Sequence, residues 1–210
     1  MPTSLKPETR RRGAPHQKRS QKTVDLILSA ASELLEESGF ENLSTNAICK
    51  RADLTPPALY RYFPNKYAVL KELGEQLMQR QNQVLADFDW ALTDVDHLEQ
   101  QLASILRDTI HVTRQTPAAV WILRALHATP ILSDVRLDSH RDVSARLTDQ
   151  IRLAWPSLDR TRVALSLRLG VELGYAMIEM VFDEPDLDED ELIEASANLL
   201  THNIRRLIDV

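Results

Sequence analysis

Apolar residues return every three or four positions along most of this chain, and the interruptions fall at Pro, Gly and Asp. Between Gln21 and Ser38, the residues Val24, Ile27, Leu28, Ala31, Leu34 and Leu35 keep the period of a helix with one buried face, and Gly39 ends it. A second helix of about two turns follows. Ser44 or Thr45 is placed to cap it, and Ala47, Ile48 and Ala52 share its inner face. Asp53-Leu54-Thr55 forms a corner, because Asp tolerates a left-handed turn and Leu54 can plug the space between helices. Thr55 opens a third helix with Pro56 or Pro57 in its first turn, where a missing amide hydrogen costs nothing. Leu59 and Phe63 point inward, Tyr60, Arg61 and Tyr62 outward, and Pro64 stops the helix. A longer helix starts near Asn65, with Val69, Leu70, Leu73, Leu77, Val84 and Leu85 leading toward Phe88 and Trp90. Further helices are predicted over 95–115, 117–128, 132–154, 159–183 and 187–208, bounded by Pro117, Pro130, Pro156 and Pro185. The pattern is all-α.

Two short helices joined at a tight corner make a helix-turn-helix, whose second helix enters the DNA major groove. Leu59-Tyr60-Arg61-Tyr62-Phe63-Pro64-Asn65-Lys66, followed by Ala68-Val69-Leu70, resembles the Leu-Tyr-x-His-Phe-x-x-Lys-x-x-Leu signature of the TetR (tetracycline repressor-like) family of bacterial transcription regulators. Gly39-Phe40, Leu43-Ser44-Thr45, Ile48 and Ala52 agree with that family as well. Tyr62 stands where the family has His, and Asp53 where it has the turn Gly. The likeness covers about the first third of the chain.

The resemblance implies three parts: a flexible basic arm over 1–20, a three-helix DNA-binding domain over 21–66, and a helical ligand-binding and dimerisation domain over 67–210, joined by the long helix. Near the C-terminus, Val163 to Phe182 is apolar nearly all round, which predicts burial on more than one side. Gly170 and Gly174 make a four-residue step that admits a close neighbour. In TetR-like proteins the last two helices pair between subunits, which points to Gly170, Gly174, Met177, Leu200 and Ile204 as dimer contacts. The alternative is that they close the monomer's own core.

Charge changes the picture only when it is divided. The 210-residue chain is −6 overall, yet residues 1–22 hold seven Lys and Arg against Glu8, a net +6 that leaves −12 for the rest. A basic arm concentrates attraction for phosphate at one end. Arg10, Arg11 and Arg12 can enter a narrow minor groove or simply supply nonspecific attraction. The single cysteine, Cys49, excludes an intrachain disulfide and fits a reducing cytoplasm, with packing as its expected role. No apolar run of about 18 residues suggests a membrane span.

Carried over by position, Thr45, Tyr60 and Lys66 are expected at phosphates, and Asn46, Pro57, Ala58, Arg61 and Tyr62 in the groove. A homodimer would then read a palindromic operator. The family mechanism adds a small-molecule effector in the helical body, for which the polar and aromatic residues His111, Trp121, Arg124, His127, Glu172 and Tyr175 are candidates. No cofactor or metal is expected. Two rivals remain at this point: an effector-independent DNA-binding or partner-binding protein, and an all-helical enzyme using His111, His127 or His140, although their spacing fits no compact metal motif.

Overall fold

A computed structural model describes residues 8–9, 18–86 and 97–208. Nine α-helices occur among them: α1 Lys18–Ser38, α2 Thr45–Arg51, α3 Pro56–Tyr60, α4 Lys66–Ala86, α5 Leu98–Gln115, α6 Ala119–Ala128, α7 Ser133–Ala154, α8 Arg160–Asp183 and α9 Glu189–Ile208. A single 3-10 turn over Pro130–Leu132 precedes α7. The described residues hold no strand, and the all-α expectation stands with helix ends within three residues of those read from the periodicity. Phe88, Trp90 and Arg10 to Arg12 lie outside the described residues.

The helices form two compact units that are not contiguous in sequence. Among the described residues, one contains those up to Met78 together with Thr116–Arg136, the other those within Gln79–Gln115 and from Leu137 onward. Both α4 and α7 run through the boundary. In the first unit, Ile27, Leu35, Ile48, Leu59, Phe63 and Leu70 are fully buried, and Ile122 and Leu126 of α6 join the same core.

The return of α6 explains a local detail. Gly39 ends α1 at φ +71, its amide bonded to the Leu35 carbonyl at 2.9 Å, and a Cβ there would lie 3.2 Å from the Trp121 ring. Only glycine suits both the left-handed backbone and the indole against it. Just before α6, Ala118 also adopts a left-handed conformation, at φ 55, while its amide donates to Glu36 Oε1 at 2.8 Å.

In the second unit, α5 supplies Leu98, Leu102, Ile105 and Ile110 to a core shared with Val163, Leu167 and Ile178 of α8 and Ile193, Ala197 and Ile204 of α9. Asp159 caps α8 by accepting from the Arg162 amide at 2.8 Å, and Asp188 caps α9 by accepting from that of Glu191 at 3.1 Å. Arg114 on α5 meets Glu189 on α9 at 2.6 Å. No helix is long and apolar enough to cross a membrane among the described residues.

A left-handed alanine carries a steric penalty that glycine escapes. Ala118→Gly should therefore raise unfolding free energy by about 1 kcal/mol, read by urea denaturation. A loss of stability would show that burial of the Ala118 methyl outweighs the left-handed penalty.

Candidate nucleic-acid interface

The α2–α3 corner is fixed by caps and core, and its outer face follows from them. Ser44 Oγ accepts from the Ala47 amide at 3.1 Å and starts α2. Ile48 and Cys49 point inward, and burial pushes the Cys49 thiol up, away from nucleophilic use. Asp53 turns the chain at φ 53, so the Asp that departs from the family's Gly still provides the left-handed step. Thr55 enters α3 with extended backbone but without a side-chain cap bond, and its carbonyl takes the amides of both Ala58 and Leu59. Leu59 and Phe63 are fully buried. With that side pinned, Pro56, Pro57, Tyr60 and Arg61 are left exposed.

Most of the residues carried over as DNA contacts lie on or beside this face. Asn46, Pro57, Tyr60 and Arg61 are exposed, while Thr45, Ala58 and Lys66 are half-buried. Thr45 Oγ1 and the Tyr60 hydroxyl are 3.1 Å apart, which holds the start of α2 to the end of α3. The Lys66 ammonium sits 4.5 Å from the centre of the Phe40 ring, a cation–π contact at the start of α4. Asn65 caps that helix through the Ala68 amide at 3.0 Å and donates to the Glu8 carbonyl at 2.7 Å, so residue 8 lies beside the α3–α4 junction.

Tyr62 is a correction. Expected in the groove, it is only 7% exposed, and its hydroxyl accepts from Ser20 Oγ at 3.1 Å. The cause is the tight end of α3: the Tyr62 amide bonds the Leu59 carbonyl at 2.9 Å, a three-residue step that brings Tyr62 into line with the inward Leu59. Its ring instead lies 5.7 Å from the Arg61 guanidinium. Arg51 on α2 is held by α1. It bonds Glu37 at 2.5 Å and Glu33 at 3.1 Å, and holds the Glu37 carboxyl below the usual range.

The six effector candidates are dispersed. Trp121 packs against Gly39 and carries the Arg124 guanidinium 5.2 Å above its ring, a structural pairing in the first unit. His127 is exposed with Nδ1 3.2 Å from the Leu123 carbonyl, and His111 is exposed beside Gln115 at 2.8 Å. In the second unit, Tyr175 is buried and stacks on the fully buried His140 with centroids 4.1 Å apart. Its hydroxyl donates to Asn82 Oδ1 at 3.3 Å, and burial raises its pKa well above the phenol range. Glu172 pairs with Arg168 and lies 3.2 Å from His140 Nδ1. A cavity of about 90 Å³ lies among α4, α5, α7, α8 and α9, and of the six candidates Tyr175 alone lines it. Periodicity gave no sign of this cavity, since its walls are ordinary core residues.

The proposed dimer contacts also face inward. Gly174, Met177, Leu200 and Ile204 are buried and Gly170 half-buried, all within the unit's own packing. On the opposite side of α8, Leu165, Leu169, Leu173 and Met180 are 72%, 52%, 49% and 40% exposed, and Leu199 of α9 is 67% exposed. These α8 positions, with exposed Ala176 between the last two, keep helical spacing and form one stripe.

Residues 27–73 match the family model of bacterial regulatory proteins of the tetR family. The transcriptional regulator UidR of Escherichia coli K12 is 26% identical over 165 residues, which spans 77% of this chain and 83% of UidR. The class A tetracycline repressor from an Escherichia coli transposon is 36% identical over 67 residues, covering 30% of this chain and 31% of the repressor. Among solved structures, the fatty acid degradation regulator FadR from Bacillus halodurans superposes with a TM-score of 0.63 at 19% identity, over 90% of this chain and 96% of FadR.

Because the Tyr62 hydroxyl is turned into the first unit, Tyr62→Phe should cost about 0.5–1.5 kcal/mol in stability for its lost hydrogen bond. Base preference, measured by binding to a panel of duplexes, should be unchanged. A change of preference at one base pair would place Tyr62 in the groove after all.

Proposed function

We propose that this chain, which belongs to the tetR family of bacterial regulatory proteins and is a DNA-binding transcription regulator, is a cytoplasmic repressor that grips a palindromic operator as a homodimer and is released by a small molecule. The observation that supports it most is the exposed face of α3, where Pro57, Tyr60 and Arg61 stand outward on a helix pinned by Leu59 and Phe63. Arg61 is the base reader, since a guanidinium can pair with both acceptors of guanine. Asn46 suits adenine, and the Ala58 methyl a thymine methyl. Thr45, Tyr60 and Lys66 hold phosphates and set the register. Arg10, Arg11 and Arg12 add long-range attraction.

The leucine stripe of α8, with Leu199 of α9, is the dimer surface. A contiguous apolar row at the surface of a water-exposed helix gains free energy by pairing with itself across a two-fold axis. Two copies of α3 then meet half-sites about one helical turn, ~34–36 Å, apart. The cavity in the second unit favours a ligand-responsive regulator over an effector-independent one. A ligand acts by binding one arrangement of the dimer better than the other. The chain is read as non-enzymatic, in line with relatives that are transcriptional regulators.

Arg61→Ala should cost about 1–3 kcal/mol on the operator and relax preference at one base pair, whereas Lys66→Ala should weaken all sequences alike. Titration of operator and random duplexes separates the two; equal losses from both variants on both DNAs would contradict the assignment. Leu169→Glu with Leu173→Glu should give a folded monomer by sedimentation and lower operator affinity by about a hundredfold or more, from loss of the second half-site. A persistent dimer would put the interface elsewhere.

A further inference from the structure

The cavity of the second unit has a chemistry that narrows what it can hold. Among the described residues no Asp, Glu, Lys, Arg or His lines it. Its walls are aliphatic, and the three polar side chains that reach it, Thr109, Tyr175 and Asn203, are occupied within the protein. Thr109 Oγ1 donates to the Ile105 carbonyl at 2.8 Å, and the Tyr175 hydroxyl donates to Asn82. Asn203 donates to the Ser166 carbonyl at 3.1 Å and accepts from Ser166 Oγ at 2.9 Å. Arg168 pairs with Glu172, Glu172 also meets His140 Nδ1, and the Tyr175 ring stacks on His140. A charged ligand would therefore lose its water and meet no counter-charge on the walls, whereas a hydrocarbon would lose nothing it needs.

The floor of the cavity is made by glycine. Gly170 and Gly174 lie in the middle of α8, in a helix whose interior disfavours glycine relative to alanine. Neither backbone is left-handed, so neither position requires glycine for its conformation. Nor do the neighbours require it. A Cβ at Gly170 would stand 3.5 Å from Leu200 Cδ2 and 3.8 Å from Asn203 Nδ2, and one at Gly174 would stand 3.7 Å from Leu106 Cδ2, all ordinary van der Waals contact. What these glycines supply is room. α9 does come near at this step, with Leu200 and Asn203 in reach of a Gly170 Cβ, but not so near that glycine is required.

The geometry points to an uncharged, mainly hydrocarbon ligand for this cavity, with Gly170 and Gly174 setting the width available to it. This rests on the reading of the chain as a ligand-responsive regulator and specifies the ligand of that same site. Selection is by apolar burial and shape, with little left for a polar head to bond.

The test uses the full-length chain and xenon, a small uncharged probe whose NMR shift reports entry into apolar cavities of this size. Butanol should displace xenon, while butyrate and butylammonium at neutral pH, of equal chain length, should compete at least about tenfold more weakly, since the walls offer no counter-charge. Gly170→Ala with Gly174→Ala, and each single variant, should melt at a higher temperature than the parent, because alanine favours the helix and fits its surroundings. The double variant should bind xenon at least about tenfold more weakly by loss of room. Butyrate or butylammonium binding as tightly as butanol, or a double variant that is stable and binds as the parent does, would overturn the inference. Operator affinity measured with and without butanol separates the two readings. Xenon and butanol binding with unchanged operator affinity supports the ligand class and sinks the effector role. Operator binding with no uptake of xenon or butanol sinks the ligand class and leaves the DNA-binding regulator intact.

Discussion

A helix of five residues has almost no stability of its own in water, because nucleation uses up most of what so few hydrogen bonds return. α3 is such a helix, and it exists because Leu59 and Phe63 are sunk completely into a core with Ile27, Ile48 and Leu70. That burial does more than hold α3 in place. By fixing which side faces inward, it fixes which side faces out, and so Pro57, Tyr60 and Arg61 are presented together without any contact among themselves being needed. Removing Phe63 as far as alanine would cost about 3–5 kcal/mol, comparable to the stability of many small domains. The exposed face of α3 is thus a by-product of packing under it, supported by the Thr45–Tyr60 hydrogen bond above and by the Arg51–Glu33–Glu37 cluster that ties α2 to α1.

A similar economy appears in α8, which is apolar on nearly every side and yet is not simply buried. One side, with Leu167, Gly174 and Ile178, faces the core and the cavity of the second unit. The other carries Leu165, Leu169, Leu173 and Met180 to the surface. Such a helix is not amphipathic in the usual sense, since apolar residues occupy both its buried and its exposed side. Arg168 and Glu172 fill the narrow sector left between these sides, where they pair with each other and Glu172 also meets His140.

Much of this was legible in the residues. Helix limits follow from the recurrence of apolar positions and from Pro breaks, signals that depend only on neighbours in the chain; Ser44 as a cap and Asp53 as a left-handed corner follow from local backbone chemistry. The misreadings arose where a local pattern fits two arrangements. Tyr62 went inward because α3 ends in a three-residue hydrogen bond, a choice of a single amide that no periodicity encodes. Gly170 and Gly174 look alike whether they admit a neighbouring helix or leave a void, and only the positions of Leu106, Leu200 and Asn203 decide it. That Trp121 packs against Gly39 depends on a contact across some eighty residues of chain, which composition and spacing do not register.

The proposed two-fold presentation of the α3 face is best probed by selecting bound sequences from a pool of random duplexes. It predicts enrichment of a two-fold symmetric sequence with half-site centres about 10 base pairs, one helical turn, apart. Enrichment of a single asymmetric half-site, or of no sequence at all, would contradict it.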